Sequence, residues 1–349
     1  MKACRIRERQ RLLTGSRPTP PNDRVKRILR ILLGLLLTLL VLVVAIIGLG
    51  IYLLYTPDPD SSSLSGTMTK GSIEAGGVTR TYHVYLPKDL PKKAPLVFVL
   101  HGASESGAEI RVETGYAFDR LADRQGFAVV YPDGFEGWWN SCTIIDDSEA
   151  NRRDIDDIGF LAALSDKLAE EAGIDPDRIF ATGVSNGGDM VIRLALEAPA
   201  QYRAVAPVAA NMPARENFKC KPQAQAGASV LLIHGTADRL VPYEGGEGSL
   251  FGFYRSGKVL SSRETGQYFA GLYGIAANPA VTHGKTIDGF PVDQWLWHGD
   301  SPLEVELFAI EGAGHVFPQP YYRARRLLGA SPRDPDGAEL IWDFFARQK

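Results

Sequence analysis

Residues 178–195, RIFATGVSNGGDMVIRLA, decide how the rest of the chain is read. Ile179, Phe180 and Ala181 suit a short buried strand, while Met190, Val191, Leu194 and Ala195 recur at helical spacing. Between them stands Gly183-Val184-Ser185-Asn186-Gly187. A strand, then G-x-S-x-G, then a helix is the context of a nucleophile elbow. The turn is so tight that the residues flanking the serine need almost no side chain, and the serine itself is held in strained backbone geometry with its hydroxyl exposed. Alone, the pentad is an ordinary glycine-rich turn; its flanking elements make Ser185 the candidate nucleophile.

A serine hydroxyl is a poor nucleophile near neutral pH and needs an imidazole to take its proton, with a carboxylate to orient that imidazole. In this arrangement the acid follows the serine and the histidine follows the acid. His83 and His101 therefore come too early, and His234 precedes the expected acid. Of the remaining three, His315 ends Glu311-Gly312-Ala313-Gly314-His315, between a strand and the last helix, whereas His283 and His298 fall in a polar, irregular stretch. The acid is expected at Asp238, where the apolar strand Leu231-Leu232-Ile233 runs through His234-Gly235-Thr236-Ala237 to a carboxylate at its end, the other reading being a turn-forming Asx residue. Asp154, Asp156 and Asp157 precede Ser185 and suit a helix N-terminus instead. Two amides are expected to face a developing oxyanion, that of Asn186 and one from the loop Leu100-His101-Gly102-Ala103-Ser104, with Ala103 preferred.

The 349 residues suffice for a full core, and 45% hydrophobic with 23% charged content is ordinary for a globular protein. The net charge of −3 hides an asymmetry: residues 1–30 carry ten Lys and Arg against Glu8 and Asp23, leaving the remainder at −11. The folded part has no basic excess to release phosphate counterions, so nucleic acid is not the expected partner. Ile31 to Tyr55 is an uncharged apolar run of 25 residues, long enough to cross a hydrocarbon core of about 30 Å. It is longer than the apolar region of a cleavable signal peptide, although Gly48 and Gly50 keep cleavage as an alternative. The basic tail, residues 1–30, is expected in the cytoplasm and everything beyond Tyr55 on the other side. Residues 56–77, rich in Pro, Asp, Ser and Gly, read as a tether, and 78–349 as one catalytic domain.

Within that domain strands are expected at 79–86, 95–100, 127–131, 178–182, 204–208, 230–233 and 305–310, with helices near 156–172 and 338–347. Such alternation implies an α/β fold with a mainly parallel sheet covered by helices on both faces. Residues 243–300, rich in Gly and irregular, are a candidate lid between acid and histidine. Cys4, Cys142 and Cys220 lack metal-ligand spacing, and neither a metal nor another cofactor is implied.

With these pieces assembled, residues 72–347 resemble the polyhydroxybutyrate depolymerase-like and feruloyl esterase-like serine esterases of the α/β-hydrolase superfamily. The resemblance rests on Tyr85-Leu86-Pro87, Leu100-His101-Gly102, Val130-Tyr131-Pro132-Asp133-Gly134, Trp139-Asn140, Asp156-Asp157-Ile158-Gly159-Phe160, the Ser185 pentad with Gly188, His234 to Asp238, and Gly312 to His315. It implies the triad Ser185, Asp238 and His315 and the hydrolysis of small or polymeric carboxylic esters through an acyl-enzyme, here on a membrane anchor and outside the cytoplasm. A serine peptidase on the same fold and a non-catalytic lipid- or polymer-binding module are the rival expectations. The sequence departs from the family in having Phe317-Pro318 where a Trp-Pro pair commonly follows the histidine. Cys142 and Cys220 would face an oxidising compartment, as a disulfide or as two buried thiols, whereas Cys4 would stay reduced. Trp138, Trp139, Trp295 and Trp297 are candidates for lining an aromatic or polymeric acyl site, the alternative being packing, and His101 and Phe317 are further candidate substrate contacts.

Overall fold

Leu96, Phe98 and Leu100 point to one side of a strand, Val97 and Val99 to the other, and all five are buried. A run buried on both faces belongs in the middle of a sheet covered twice. The computed structural model describes residues 22–223, 227–250, 254–275, 278–285 and 288–348; Cys4 and most of the basic tail lie outside the described residues. The chain divides into two units, Met1–Leu53 and Leu54–Lys349.

In the second unit the strands are β1 (Thr67–Ala75), β2 (Val78–Leu86), β3 (Ala94–Leu100), β4 (Ala128–Pro132), β5 (Ile174–Val184), β6 (Ala204–Val208), β7 (Ser229–Gly235), β8 (Gly246–Leu250), β9 (Tyr254–Val259), β10 (Ala280–Lys285), β11 (Pro291–Trp297) and β12 (Val305–Ile310). Ten of them form one sheet in the order β1-β2-β4-β3-β5-β6-β7-β12-β11-β10, while β8 and β9 make a separate hairpin. The central six, β4 through β12, run parallel, and the outer pairs are antiparallel. The expected mainly parallel sheet is therefore present, extended at both edges.

The helices are α1 (Asp23–Leu54), α2 (Gly107–Glu113), α3 (Ala117–Gln125), α4 (Glu149–Arg152), α5 (Asp157–Ala172), α6 (Asn186–Glu197), α7 (Ser262–Leu272) and α8 (Gly337–Ala346). Phe160 and Leu164 of α5, Met190 and Leu194 of α6 and Phe269 of α7 pack on the Leu96 face. Phe118 and Leu121 of α3 and Ile341, Phe344 and Phe345 of α8 pack on the Val97 face. Each such side chain contributes roughly 1.5–3 kcal/mol when fully buried. Helix α5 starts where Asp156 accepts from the Gly159 amide at 2.8 Å. Its Asp157 pairs with Arg80 of β2 at 2.8 Å, both side chains buried, and the guanidinium lies 4.1 Å above the Phe160 ring.

Two stretches differ from expectation. Residues 67–75, inside the expected tether, form β1 and pair with β2 from Thr67↔Leu86 to Ala75↔Val78 around a Gly76-Gly77 turn, both glycines at positive φ. The strand is largely exposed on an edge, so its sequence TMTKGSIEA lacks the apolar alternation that marks a buried strand. Residues 243–300, the candidate lid, hold β8, β9, α7, β10 and β11, of which β10 and β11 continue the main sheet.

In the first unit, α1 covers 32 residues and buries no side chain. At 1.5 Å per residue it is about 48 Å long, more than a bilayer core needs.

Candidate active site

The site begins at the turn from β5 into α6. Ser185 has φ 57° and ψ −124°, a conformation rarely tolerated outside glycine, and its amide donates to the Val208 carbonyl at 2.9 Å. Close approach explains the flanking glycines. A Cβ on Gly183 would stand 2.5 Å from the Gly187 carbonyl oxygen, and one on Gly187 would stand 2.4 Å from that of Leu100. The strain places the Ser185 side chain in a cavity of about 470 Å³ that is also lined by Ala103, Trp138, Asn186, His315 and Phe317.

Asp238 lies on the turn after β7, and His315 on the loop after β12. These strands are adjacent and parallel, so their carboxyl ends bring the two residues together, and His315 Nδ1 stands 2.7 Å from Asp238 Oδ2. The His315 backbone is fixed by its own amide, which donates to the Leu328 carbonyl at 2.8 Å. Asp238 Oδ1 accepts the amides of Leu240 and Val241 at 2.8 and 2.9 Å. Burial opposes the charge on Asp238, but His315 and the hydrogen bonds more than offset it, holding the carboxyl well below the usual carboxylate range. With Nδ1 engaged by the carboxylate, Nε2 is the His315 nitrogen left for chemistry. Among the described residues no hydrogen bond joins the Ser185 hydroxyl to the His315 ring, a contact that commonly tightens only with substrate in place.

The loop after β3 has its own scaffold. The Gly102 amide donates to Glu105 Oε2 at 2.8 Å and that of Ser104 to the Gly137 carbonyl at 2.9 Å, whereas the Ala103 amide has no acceptor among the described residues. Glu105 faces Glu113 across the cavity wall, and burial, then Glu113, raise its pKa well above the usual range. Asn186 opens α6, where a backbone amide has no partner within the helix. Its side chain accepts from the Trp139 amide at 2.8 Å and donates to the Trp139 carbonyl at 3.3 Å.

The structure separates the candidate substrate contacts. Trp138 and Phe317 line the cavity. His101 and Trp139 do not: both are fully buried beneath the loop. His101 Nε2 accepts the Gly134 amide at 2.8 Å, its Nδ1 donates to the Gly102 carbonyl at 2.7 Å, and Trp139 Nε1 donates to the His101 carbonyl at 3.0 Å. Burial lowers the pKa of His101, in keeping with a neutral ring. Trp297 is buried against Gly266, and Trp295 sits under the Arg263 guanidinium in a separate hollow beside α7. Cys142 and Cys220 form a disulfide, just beyond the Trp139-Asn140 segment that holds Asn186. His234, set aside on chain order, stands 3.2 Å from Asp238 Oδ2 through Nε2. Its place four residues before the acid, at the end of the same strand, was the available signal.

Residues 88–251 match the phospholipase/carboxylesterase family. A putative esterase, NocK, of Nocardia uniformis subsp. tsuyamanensis is 31% identical over 313 residues, 83% of this chain and 86% of that protein. A poly(3-hydroxyalkanoate) depolymerase C of Paucimonas lemoignei is 26% identical over 252 residues, 67% of this chain but 58% of its own length. The structure of an acetyl xylan esterase from Aspergillus awamori superposes with a TM-score of 0.53 at 16% identity, covering 80% of this chain and all of that one, a likeness of fold. By its kinship with that esterase over most of both chains, the chain belongs to the esterases, on an α/β-hydrolase fold, and is a carboxylic ester hydrolase.

Proposed function

We propose that the protein is a membrane-anchored serine esterase whose catalytic unit works outside the cytoplasm on esters of the polyhydroxyalkanoate or feruloyl type. Ser185 attacks the ester carbonyl carbon while its proton passes to His315 Nε2, and Asp238 orients and stabilises the resulting imidazolium. The amides of Asn186 and Ala103 donate to the oxyanion. The tetrahedral intermediate collapses by breaking the bond to the alcohol oxygen, which takes the proton from His315. Water, deprotonated by the same histidine, then releases the acid and restores Ser185. One observation carries this reading: the 2.7 Å contact between His315 and Asp238 at the wall of the cavity that holds a strained serine. The uncharged run of 25 residues and the basic tail support the anchor and its orientation.

Initial rates with p-nitrophenyl esters of increasing acyl length and with methyl ferulate, measured on the full chain in detergent, test the reading. The wild type is expected to turn over at least one of them, and Ser185→Ala to lose roughly 10³-fold or more in kcat. Turnover that survives the substitution refutes the assignment, and the acyl-length profile sizes the cavity.

A further inference from the structure

Two histidine rings approach the same oxygen of Asp238. His315 Nδ1 stands 2.7 Å from Oδ2 on one side and His234 Nε2 stands 3.2 Å from it on the other. His234 is 2% exposed, so its protons can be counted from its protein neighbours. Nε2 faces two acceptors without hydrogens, Asp238 Oδ2 and the Val241 carbonyl at 3.0 Å, and must itself carry a hydrogen. Nδ1 lies 2.8 Å from Ser262 Oγ, which has a single hydrogen to give.

That hydrogen is already committed. Ser262 Oγ stands 2.9 Å from Asn211 Oδ1, and the Asn211 amide is oriented by its Nδ2, which donates to the Pro242 carbonyl at 3.1 Å. Turning the amide over would set its oxygen against the Pro242 oxygen. Ser262 therefore donates to Asn211 and offers His234 only lone pairs, so Nδ1 is a donor as well.

We propose that His234 is a positioning residue of the site, carried as an imidazolium that shares the Asp238 carboxylate with His315. With both rings on Oδ2 and two backbone amides on Oδ1, the carboxylate cannot rotate. The positive ring also offsets part of the negative charge of Asp238 that His315 faces. Around His234, Asp238 comes from the turn after β7 and His315, across Asp238, from the loop after β12. Ser262 of α7 and Asn211 after β6 are neutral. Tyr243 meets the ring edge-on at 5.9 Å, its phenol pushed up to about 12 by burial and so uncharged. The positioning role rests on the triad reading above; the proton count does not.

Histidine-selective ¹⁵N labelling of the full chain in detergent tests the count at pH 7. One ring should show two one-bond N–H correlations that disappear in His234→Gln; a single correlation overturns the proposal. The positioning role is read from kcat/KM against pH in wild type, His234→Gln and Ser262→Ala. Glutamine can still donate to Asp238 but carries no charge, and Ser262→Ala removes the acceptor for Nδ1. In both variants the acidic fall in kcat/KM should move to higher pH by roughly one pH unit, as expected for losing one nearby positive charge. A fall at unchanged pH, with only stability reduced, overturns the role. Should His234→Gln not fold, Ser262→Ala carries the comparison. Should no ester be turned over, the N–H count stands alone, which separates failure of this proposal from failure of the esterase reading.

Discussion

Asp238 accepts four hydrogen bonds in a buried turn, from His315, His234 and the amides of Leu240 and Val241. Asparagine there would keep the shape but present a donor to at least one of them. It would favour the wrong His315 tautomer, and kcat of Asp238→Asn should fall roughly 10³- to 10⁴-fold. A loss below tenfold would remove Asp238 from the role given to it. The same carboxyl has a folded-state pKa below its unfolded value. Its contribution to stability is therefore present above the unfolded value, near ~3.9, and is lost as pH falls toward the folded one. Thermal melts from pH 6 downward should accordingly show wild type losing more stability in acid than Asp238→Asn. A parallel loss in the two would contradict that accounting. Chain order and strand ends sufficed to point to Ser185, Asp238 and His315 as candidates, because this fold sets a nucleophile, an acid and a histidine in that order at the carboxyl ends of its strands, where Asp238 and His315 do meet. Ring burial is set by tertiary packing, so the same reasoning could not tell Trp138, which lines the cavity, from Trp139, which scaffolds the loop beneath it.

Among the elements, the buried strands and long helices were legible because they combine period and hydrophobicity. The core run at 94–100 and the Asp156-capped helix are examples. Exposed or edge elements carry a weaker signal. Strand β1 read as part of a tether because its outward side chains are polar, although the adjacent Gly76-Gly77 pair is a two-residue hairpin turn. Likewise β10 and β11 sit at the other edge, where Gly284 lies within β10 itself and Gly289, at positive φ, stands just before β11. The Cys142–Cys220 bridge ties the segment after Trp139-Asn140 to the one following β6 across 78 residues of chain. Closing a loop of that length is worth about 4.5 kcal/mol in chain entropy. The Cys142→Ser, Cys220→Ser double variant should therefore melt roughly 5–15 °C lower. An unchanged melting temperature would show that the segment is held without it.

At the scale of the whole molecule, the chain divides into an apolar helix and an α/β unit, and each carries its own expectation. Fractionation of cells expressing the full chain should place it with membranes, and a variant lacking residues 1–54 should leave that fraction. Added protease should reach residues 57–349 in intact spheroplasts if the basic tail stays inside. Protection of that part, with digestion only in inverted vesicles, would reverse the orientation. The chemistry is tested most directly by catching its intermediate. Full-length protein mixed with p-nitrophenyl butyrate, quenched in acid within the first turnover and digested for mass spectrometry, should carry one butyryl group on the Ser185 peptide. The group should be absent from Ser185→Ala treated identically. Rapid release of p-nitrophenol with no acyl group on Ser185, or with the group on another residue, would contradict the account.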